Sequence, residues 1–259
     1  MAGALKSTSE GQTLILTLSN PEFKNALGPE MYAAGVEALN AAENNPEIRS
    51  VVITGEANIF CAGGNLHRLQ ANRRELPEIQ VQSLEGLHNW IDSIRTYPKP
   101  VLAAVEGAAA GAGFSLALAC DFCVAADNAV FVMSYSSVAL SPDGGGSWSL
   151  ARALPRALSS ELLMCGERIS AQRLHDFGLV NRITSPGASL GEALKLAERL
   201  NARAPNVMAS IKELMNDAPF NTLNQHLSSE RDQFIRNLYH SNGGEGIDAF
   251  LKKRTPQYR

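Results

Sequence analysis

Lys99-Pro-Val-Leu-Ala-Ala-Val-Glu-Gly-Ala-Ala-Ala-Gly-Ala-Gly-Phe-Ser-Leu-Ala-Leu-Ala119 is the stretch on which the reading of this chain turns. Val101 to Val105 is a run of five apolar residues behind a proline, short enough for a buried strand. Gly107 to Gly113 reads as a glycine turn, and Phe114 to Ala119 as a short helix. The same order occurs upstream. Arg49-Ser-Val-Val-Ile-Thr54 is an apolar strand ended by Gly55, Phe60 to Leu66 is a glycine-rich turn with no room for regular structure, and helical spacing runs from about Glu78 to Thr96. Strand, glycine turn and helix thus alternate, which predicts an α/β fold whose glycine turns lie at strand ends, where sites usually form.

Working outward, Thr13 to Leu18 is an early strand broken by Ser19-Asn-Pro21, and Leu27 to Glu43 is a helix with Pro29 near its start. Cys123 to Ala126 is a strand that precedes Ala129-Val-Phe-Val132. From about Ser159 strand signals thin out. Gly191 to Arg203 and Asn206 to Asp217 place apolar residues at three- and four-residue steps, and Asn221 to Tyr239 mixes apolar with charged residues. The chain divides into a core over residues 1–200 and a helical region over 201–259 that packs on the core and on another subunit.

The 259 residues are 45% hydrophobic, enough for one large core. With 23 basic against 26 acidic residues and a net charge of -3, no basic footprint for nucleic acid is present. Met1 to Glu10 lacks an apolar signal core and no apolar run is long enough for a membrane span, so a cytoplasmic protein with no membrane partner is expected. Four scattered cysteines do not make a disulfide framework. Cys120 and Cys123 form a C-x-x-C without a second metal pair, and read as small core residues.

A glycine turn leaves peptide N–H groups bare where a ligand can approach. Two such groups converging from separate loops can hold a carbonyl oxygen as it becomes an oxyanion. Gly107 to Gly113 has G-x-x-x-G-x-G spacing, which departs from the dinucleotide fingerprint G-x-G-x-x-G.

The chain resembles the crotonase (enoyl-CoA hydratase/isomerase) superfamily, with its signatures in order. These are Leu18-Ser-Asn-Pro-Glu-Phe-Lys-Asn-Ala-Leu27, Val52-Ile-Thr-Gly55 with Phe60-Cys-Ala-Gly-Gly-Asn-Leu66, and Lys99 through Cys120-Asp121. Later come Leu140-Ser-Pro-Asp-Gly-Gly-Gly-Ser147, Gly166 to Ala171 with Gly178-Leu-Val180, and Glu245 to Arg254. The resemblance implies a spiral of ββα units with a C-terminal helical oligomerisation region, homotrimers or hexamers, and an acyl-CoA substrate in fatty-acid or aromatic-acid catabolism. It implies no separate cofactor and no metal, coenzyme A being part of the substrate. It further implies an oxyanion hole made by the N–H groups of Gly64 and Ala112. Lys24, the Ala62 backbone, Asn65 and Leu66 fall where the family holds coenzyme A, and Phe250 and Lys253 match contacts that can reach a neighbouring subunit; each lysine also reads as an ordinary solvated charge.

The departures point to the reaction. Family hydratases use two glutamates, and here those positions are Ser115 and Tyr135. Asp143 coincides with the aspartate of several family isomerases and with the nucleophile of a dehalogenase. A single carboxyl can remove a proton from one carbon and return it to another, which is double-bond migration, and that activity is expected over hydration. Asp143 also fits a helix cap before Gly145. His88 matches the dehalogenase base or simply packs on its helix. A hydrolase using the same oxyanion hole, and a non-catalytic CoA-ester-binding protein, are the other readings. Tyr135, Phe131, Met133 and Trp148 suggest a bulky, aromatic pocket, and the positions between Leu66 and Gln80 a mobile wall from which Glu75 or Glu78 could contribute an acid.

Overall fold

The computed structural model describes residues 3–259. Its strands are β1 (Ala4–Glu10), β2 (Thr13–Ser19), β3 (Ser50–Gly55), β4 (Val101–Val105), β5 (Ala108–Ala110), β6 (Phe122–Ala126), β7 (Val130–Val132), β8 (Arg168–Ser170) and β9 (Arg182–Thr184). Its helices are α1 (Pro29–Glu43), α2 (Leu66–Asn72), α3 (Pro77–Thr96), α4 (Ala112–Ala119), α5 (Gly146–Ala153) and α6 (Arg156–Ser160), then α7 (Ala171–Asp176), α8 (Ser189–Asn201), α9 (Pro205–Asp217), α10 (Leu223–Leu238) and α11 (Ser241–Leu251).

One sheet has the order β1-β2-β3-β4-β6-β9, parallel throughout except where β1 runs against β2. Its inner strands are apolar on both faces because both faces are covered. Successive side chains alternate. Val101, Ala103 and Val105 therefore enter the main core, while Leu102 and Ala104 face Ala193, Leu196 and Ala197 of α8. On the main side α1 packs closely on α3, since a Cβ at Gly35 would lie 2.2 Å from the buried Trp90 ring.

The second sheet is short, with β7 parallel to β5 and antiparallel to β8. Two single bridges extend it, Cys61 beside Ala109 and Leu27 beside Gly64. Four parallel strands of the first sheet thus lead to a second extended piece and then a helix: β2 to Leu27 and α1, β3 to Cys61–Gly64 and α2, β4 to β5 and α4, β6 to β7 and α5, whereas β9 runs directly to α8. The chain winds as a spiral of ββα units. Gly107, at φ +57°, makes the step from β4 to β5 so close to the neighbouring turn that a Cβ would sit 2.1 Å from the Asn58 carbonyl oxygen.

Several elements differ from the sequence reading. Gly107 to Gly113 contains strand β5, a three-alanine segment whose extended form comes from pairing with β7 rather than from any periodicity of its own. The Phe60–Leu66 turn includes the two bridged positions and ends in helix α2, so the segment after it is regular structure. β1 is a polar, largely exposed strand with no apolar alternation to announce it; β2 supplies its partner.

Lys212 of α9 is buried, and its Nζ donates to Asp121 Oδ2 (2.7 Å) and the Ile94 carbonyl (2.8 Å), which ties this helix to the core. Burial lowers the Lys212 pKa and raises that of Asp121, each opposed by the partner's charge. Cys120 and Cys123 are free thiols, Cys123 buried within β6 and Cys120 directed at the Leu116 carbonyl. No helix among the described residues is long and apolar enough to cross a membrane.

Candidate active site

The loop after β3 and the loop after β5 meet because each is hydrogen-bonded to the next turn of the spiral. Cys61 N–H donates to the Ala108 carbonyl (3.0 Å), Ala110 N–H to the Cys61 carbonyl (2.9 Å), and Gly111 N–H to the Val132 carbonyl (2.8 Å). On the other side Ala62 N–H donates to Lys24 and Leu27 N–H to Gly63. Asn25 braces the first loop from below, with Nδ2 donating to the Glu56 and Ile59 carbonyls. Gly63 has φ +91°, and a Cβ there would lie 2.7 Å from the Ala110 carbonyl oxygen and 3.4 Å from the Ala112 nitrogen. The glycine is what allows the loops to close on each other.

With these bonds made, each loop keeps an N–H group without an acceptor. Gly63 N–H turns back to Cys61 Sγ (3.3 Å), whereas neither Gly64 N–H nor Ala112 N–H has an acceptor among the described residues. Ala112 opens α4, so the helix dipole adds positive potential at its nitrogen. Both residues line a cavity of about 330 Å³ together with Ala62, Leu66, Leu69, Tyr135 and Asp143.

Asp143 is the only acid among the described residues lining that cavity. It does not cap α5: the helix begins after Gly145 and no side chain caps it. Instead Tyr135 Oη donates to Asp143 Oδ1 at 2.5 Å. Burial raises the Asp143 carboxyl above the ordinary carboxylate range, with the Tyr135 hydrogen bond and the charge of His88 pulling the other way. The Tyr135 hydroxyl is itself pushed well up by burial and by the adjacent carboxylate, so it remains a donor.

Ser115 is buried behind the acid, and its hydroxyl donates to the Asp143 carbonyl (3.0 Å) rather than facing the cavity. The Gly144–Gly146 turn wraps around it, since a Cβ at Gly146 would lie 2.6 Å from Ser115 Oγ and one at Gly144 3.1 Å from its Cβ. A glutamate side chain there would have to displace that turn. Ser115→Glu is therefore expected to lower the urea midpoint by an amount equivalent to about 3 kcal/mol or more, through a buried charge and a displaced turn. It is also expected to gain no crotonyl-CoA hydration; an unchanged midpoint with new hydration would show that the space exists.

Other expected residues are distributed unevenly. Ala62 and Leu66 line the cavity, but Asn65 spends its side chain capping α2 by accepting from His67 and Arg68 N–H. Lys24 is exposed in a left-handed conformation, and Phe250 and Lys253 lie exposed at the end of α11, outside the cavity lining. The aromatic pocket is corrected. Phe131 and Met133 are buried in the core, and Trp148 is held between Arg95 and Arg152, with guanidinium carbons 4.8 and 4.1 Å from its ring centre. Tyr135 alone of the four lines the cavity, and its other large apolar walls are aliphatic: Leu66, Leu69, Leu84, Val138 and Leu140. Leu66 and Leu69 share a helix face, a three-residue spacing that could have been read from the sequence. Glu75, Glu78 and His88 are exposed and outside the lining, whereas Gln80 contributes to it.

The spiral of ββα units is that of the crotonase-fold proteins. Superposition on the crystal structure of an enoyl-CoA hydratase from Polaromonas sp. JS666 gives a TM-score of 0.99 at 82% identity, over 99% of this chain and 100% of that one. Residues 8–259 match the enoyl-CoA hydratase/isomerase family, and the chain belongs to it. It is similar to two Escherichia coli (strain K12) proteins, 1,2-epoxyphenylacetyl-CoA isomerase and 2,3-dehydroadipyl-CoA hydratase. The identities are 35% and 33%, each over 96% of this chain and 95% of the relative.

Proposed function

We propose that this acyl-CoA enzyme moves a carbon–carbon double bond in an enoyl-CoA thioester. The observation that carries the reading is a cavity holding one carboxyl, Asp143, together with two loop N–H groups that have no acceptor among the described residues. Asp143 takes the proton from C2 of a 3-enoyl-CoA, and the electron pair of that C–H bond moves into a dienolate whose oxygen Gly64 and Ala112 hold. The carboxylic acid then returns the proton at C4, leaving a 2-enoyl-CoA and the starting carboxylate. The raised Asp143 pKa suits a group that must both take and give back a proton. Coenzyme A enters as part of the substrate, and no further cofactor is required. In this reading Lys24, the Ala62 backbone, Asn65 and Leu66 lie toward the adenine and phosphate end of coenzyme A.

The same reading assigns residues 201–259 to self-association as a trimer or hexamer. Leu223, Leu227, Phe234, Ile235 and Phe250 are exposed apolar side chains on α10 and α11, and association would bring Phe250 and Lys253 to a neighbour's substrate.

Hydration is the competing reading, favoured by the name of the 82% identical hydratase structure. Against it stand Ser115 and Tyr135 at the two glutamate positions, neither of which supplies a carboxylate to activate water. A paired assay decides: 3-enoyl-CoA isomerisation followed by absorbance, beside hydration of crotonyl-CoA under the same conditions. Fast isomerisation with slow hydration is expected, and efficient hydration without isomerisation overturns the proposal.

A further inference from the structure

Tyr135 touches both halves of the site. Its hydroxyl donates to Asp143 Oδ1, while its ring lies over Gly111, where a Cβ would be 3.5 Å from Tyr135 Cζ. Gly111 immediately precedes Ala112. The Tyr135 carbonyl also accepts from Val138 and Leu140 N–H (3.0 Å each), which closes the loop leading back to Asp143. One buried side chain is thus fixed at its base, packed against the loop bearing one leftover N–H, and bonded at its tip to the acid.

We propose that Tyr135 is a positioning residue: it holds the Asp143 carboxyl by one oxygen and in register with the Ala112 loop, so that Oδ2 alone carries the proton on both legs of the transfer. This rests on Asp143 being the proton shuttle. A carboxyl has a broad, two-fold torsion and would otherwise turn between collecting the proton and returning it. The hydrogen bond to Oδ1 stops that rotation. The balance is simple: a C–H bond breaks as Oδ2–H forms, Oδ2–H breaks as the new C–H forms, and the Tyr135 proton stays on Oη throughout. Aspartate is short, and C2 and C4 flank a single carbon, so a carboxyl pinned at one oxygen reaches both by a small displacement rather than a flip.

The test is Tyr135→Phe, which keeps the ring against Gly111, compared with Asp143→Asn and the double variant on the same 3-enoyl-CoA substrate. For Tyr135→Phe, kcat is expected to fall about 10- to 100-fold with little change in KM. Asp143 must be ionised to take the proton, so activity is lost as pH drops through its pKa. Removing a donor to the carboxylate raises that pKa, and the acidic limb of kcat/KM is expected to move up by about one pH unit. In the double variant the Tyr135 change should add nothing to the loss from Asp143→Asn. An unmoved acidic limb with raised KM makes Tyr135 a pocket wall and overturns the proposal, as does wild-type kcat in Tyr135→Phe. If Asp143→Asn stays active, the shuttle reading itself fails, an outcome separate from the first two.

Discussion

Asp143→Asn is expected to lower kcat for the proposed 3-enoyl-CoA isomerisation by about 10²–10⁴-fold, the range that a positioned acid/base contributes. The substitution keeps the volume and a carbonyl oxygen to accept from Tyr135, and it leaves untouched the backbone carbonyl that Ser115 uses. What is lost is the carboxyl's negative charge and its capacity to take up and return a proton. Instability does not explain such a loss, and the sign can be worked out. Burial raises the folded-state pKa of Asp143 above its unfolded value, so the native state binds the proton more readily and the charged form is penalised at neutral pH. Stability from this group is present at low pH and is lost as pH rises through the folded pKa. Asn is therefore expected to melt no lower than wild type at pH 7 to 8, by differential scanning calorimetry. In wild type the acidic limb of kcat/KM should lie above the ordinary aspartate value of about 3.9, and it should vanish from the residual activity of the variant. A kcat within about tenfold of wild type would transfer the proton chemistry to another group.

Gly63→Ala is expected to cost about 10²–10³-fold in kcat, comparable to removing one oxyanion donor. Two obstacles coincide at this position. The backbone is at φ +91°, and the new methyl would sit 2.7 Å from the Ala110 carbonyl oxygen, a backbone atom that cannot rotate away. One loop must shift, and the N–H groups of Gly64 and Ala112 then no longer keep their places in the cavity wall. Strain alone is controlled by Gly11→Ala: that glycine also has a positive φ, +53°, but nothing lies within 4 Å of its added Cβ, and it is far in sequence from the cavity residues. Gly11→Ala should lose about 1–2 kcal/mol of stability from the left-handed backbone, Gly63→Ala should lose more because a loop must also move, and only Gly63→Ala should lose activity. Equal kcat in the two would remove the loop N–H groups from the mechanism.

The parts of this protein legible in its sequence are those that depend on local order. Val101 to Val105 declares a strand because five apolar residues between a proline and a glycine have few other stable arrangements, and both faces of that strand proved covered. The long helices α1 and α3 are written in their periodicity, within two residues of the expected starts. The ordered motifs placed Gly64, Ala112, Tyr135 and Asp143 in one family pattern, and the fold brings all four to one cavity. What tertiary structure alone decided is how these residues are satisfied. Strand β5 is three alanines with no pattern, extended only because Val130–Val132 pairs with it. Trp148 looks like a pocket wall in one dimension, yet the spiral turns it toward two arginines, and Leu66, Leu69 and Leu140 take its place. Asp143 reads as an acid in the sequence with a helix cap as the alternative, and the cap falls away once Tyr135 is seen bonded to it and α5 is seen to have no side-chain cap. The reason is common to all three. A side chain's chemistry is carried by its own identity, but its partner and solvent exposure are set by chain segments far off in sequence, and these become neighbours only when the turns of the spiral stack.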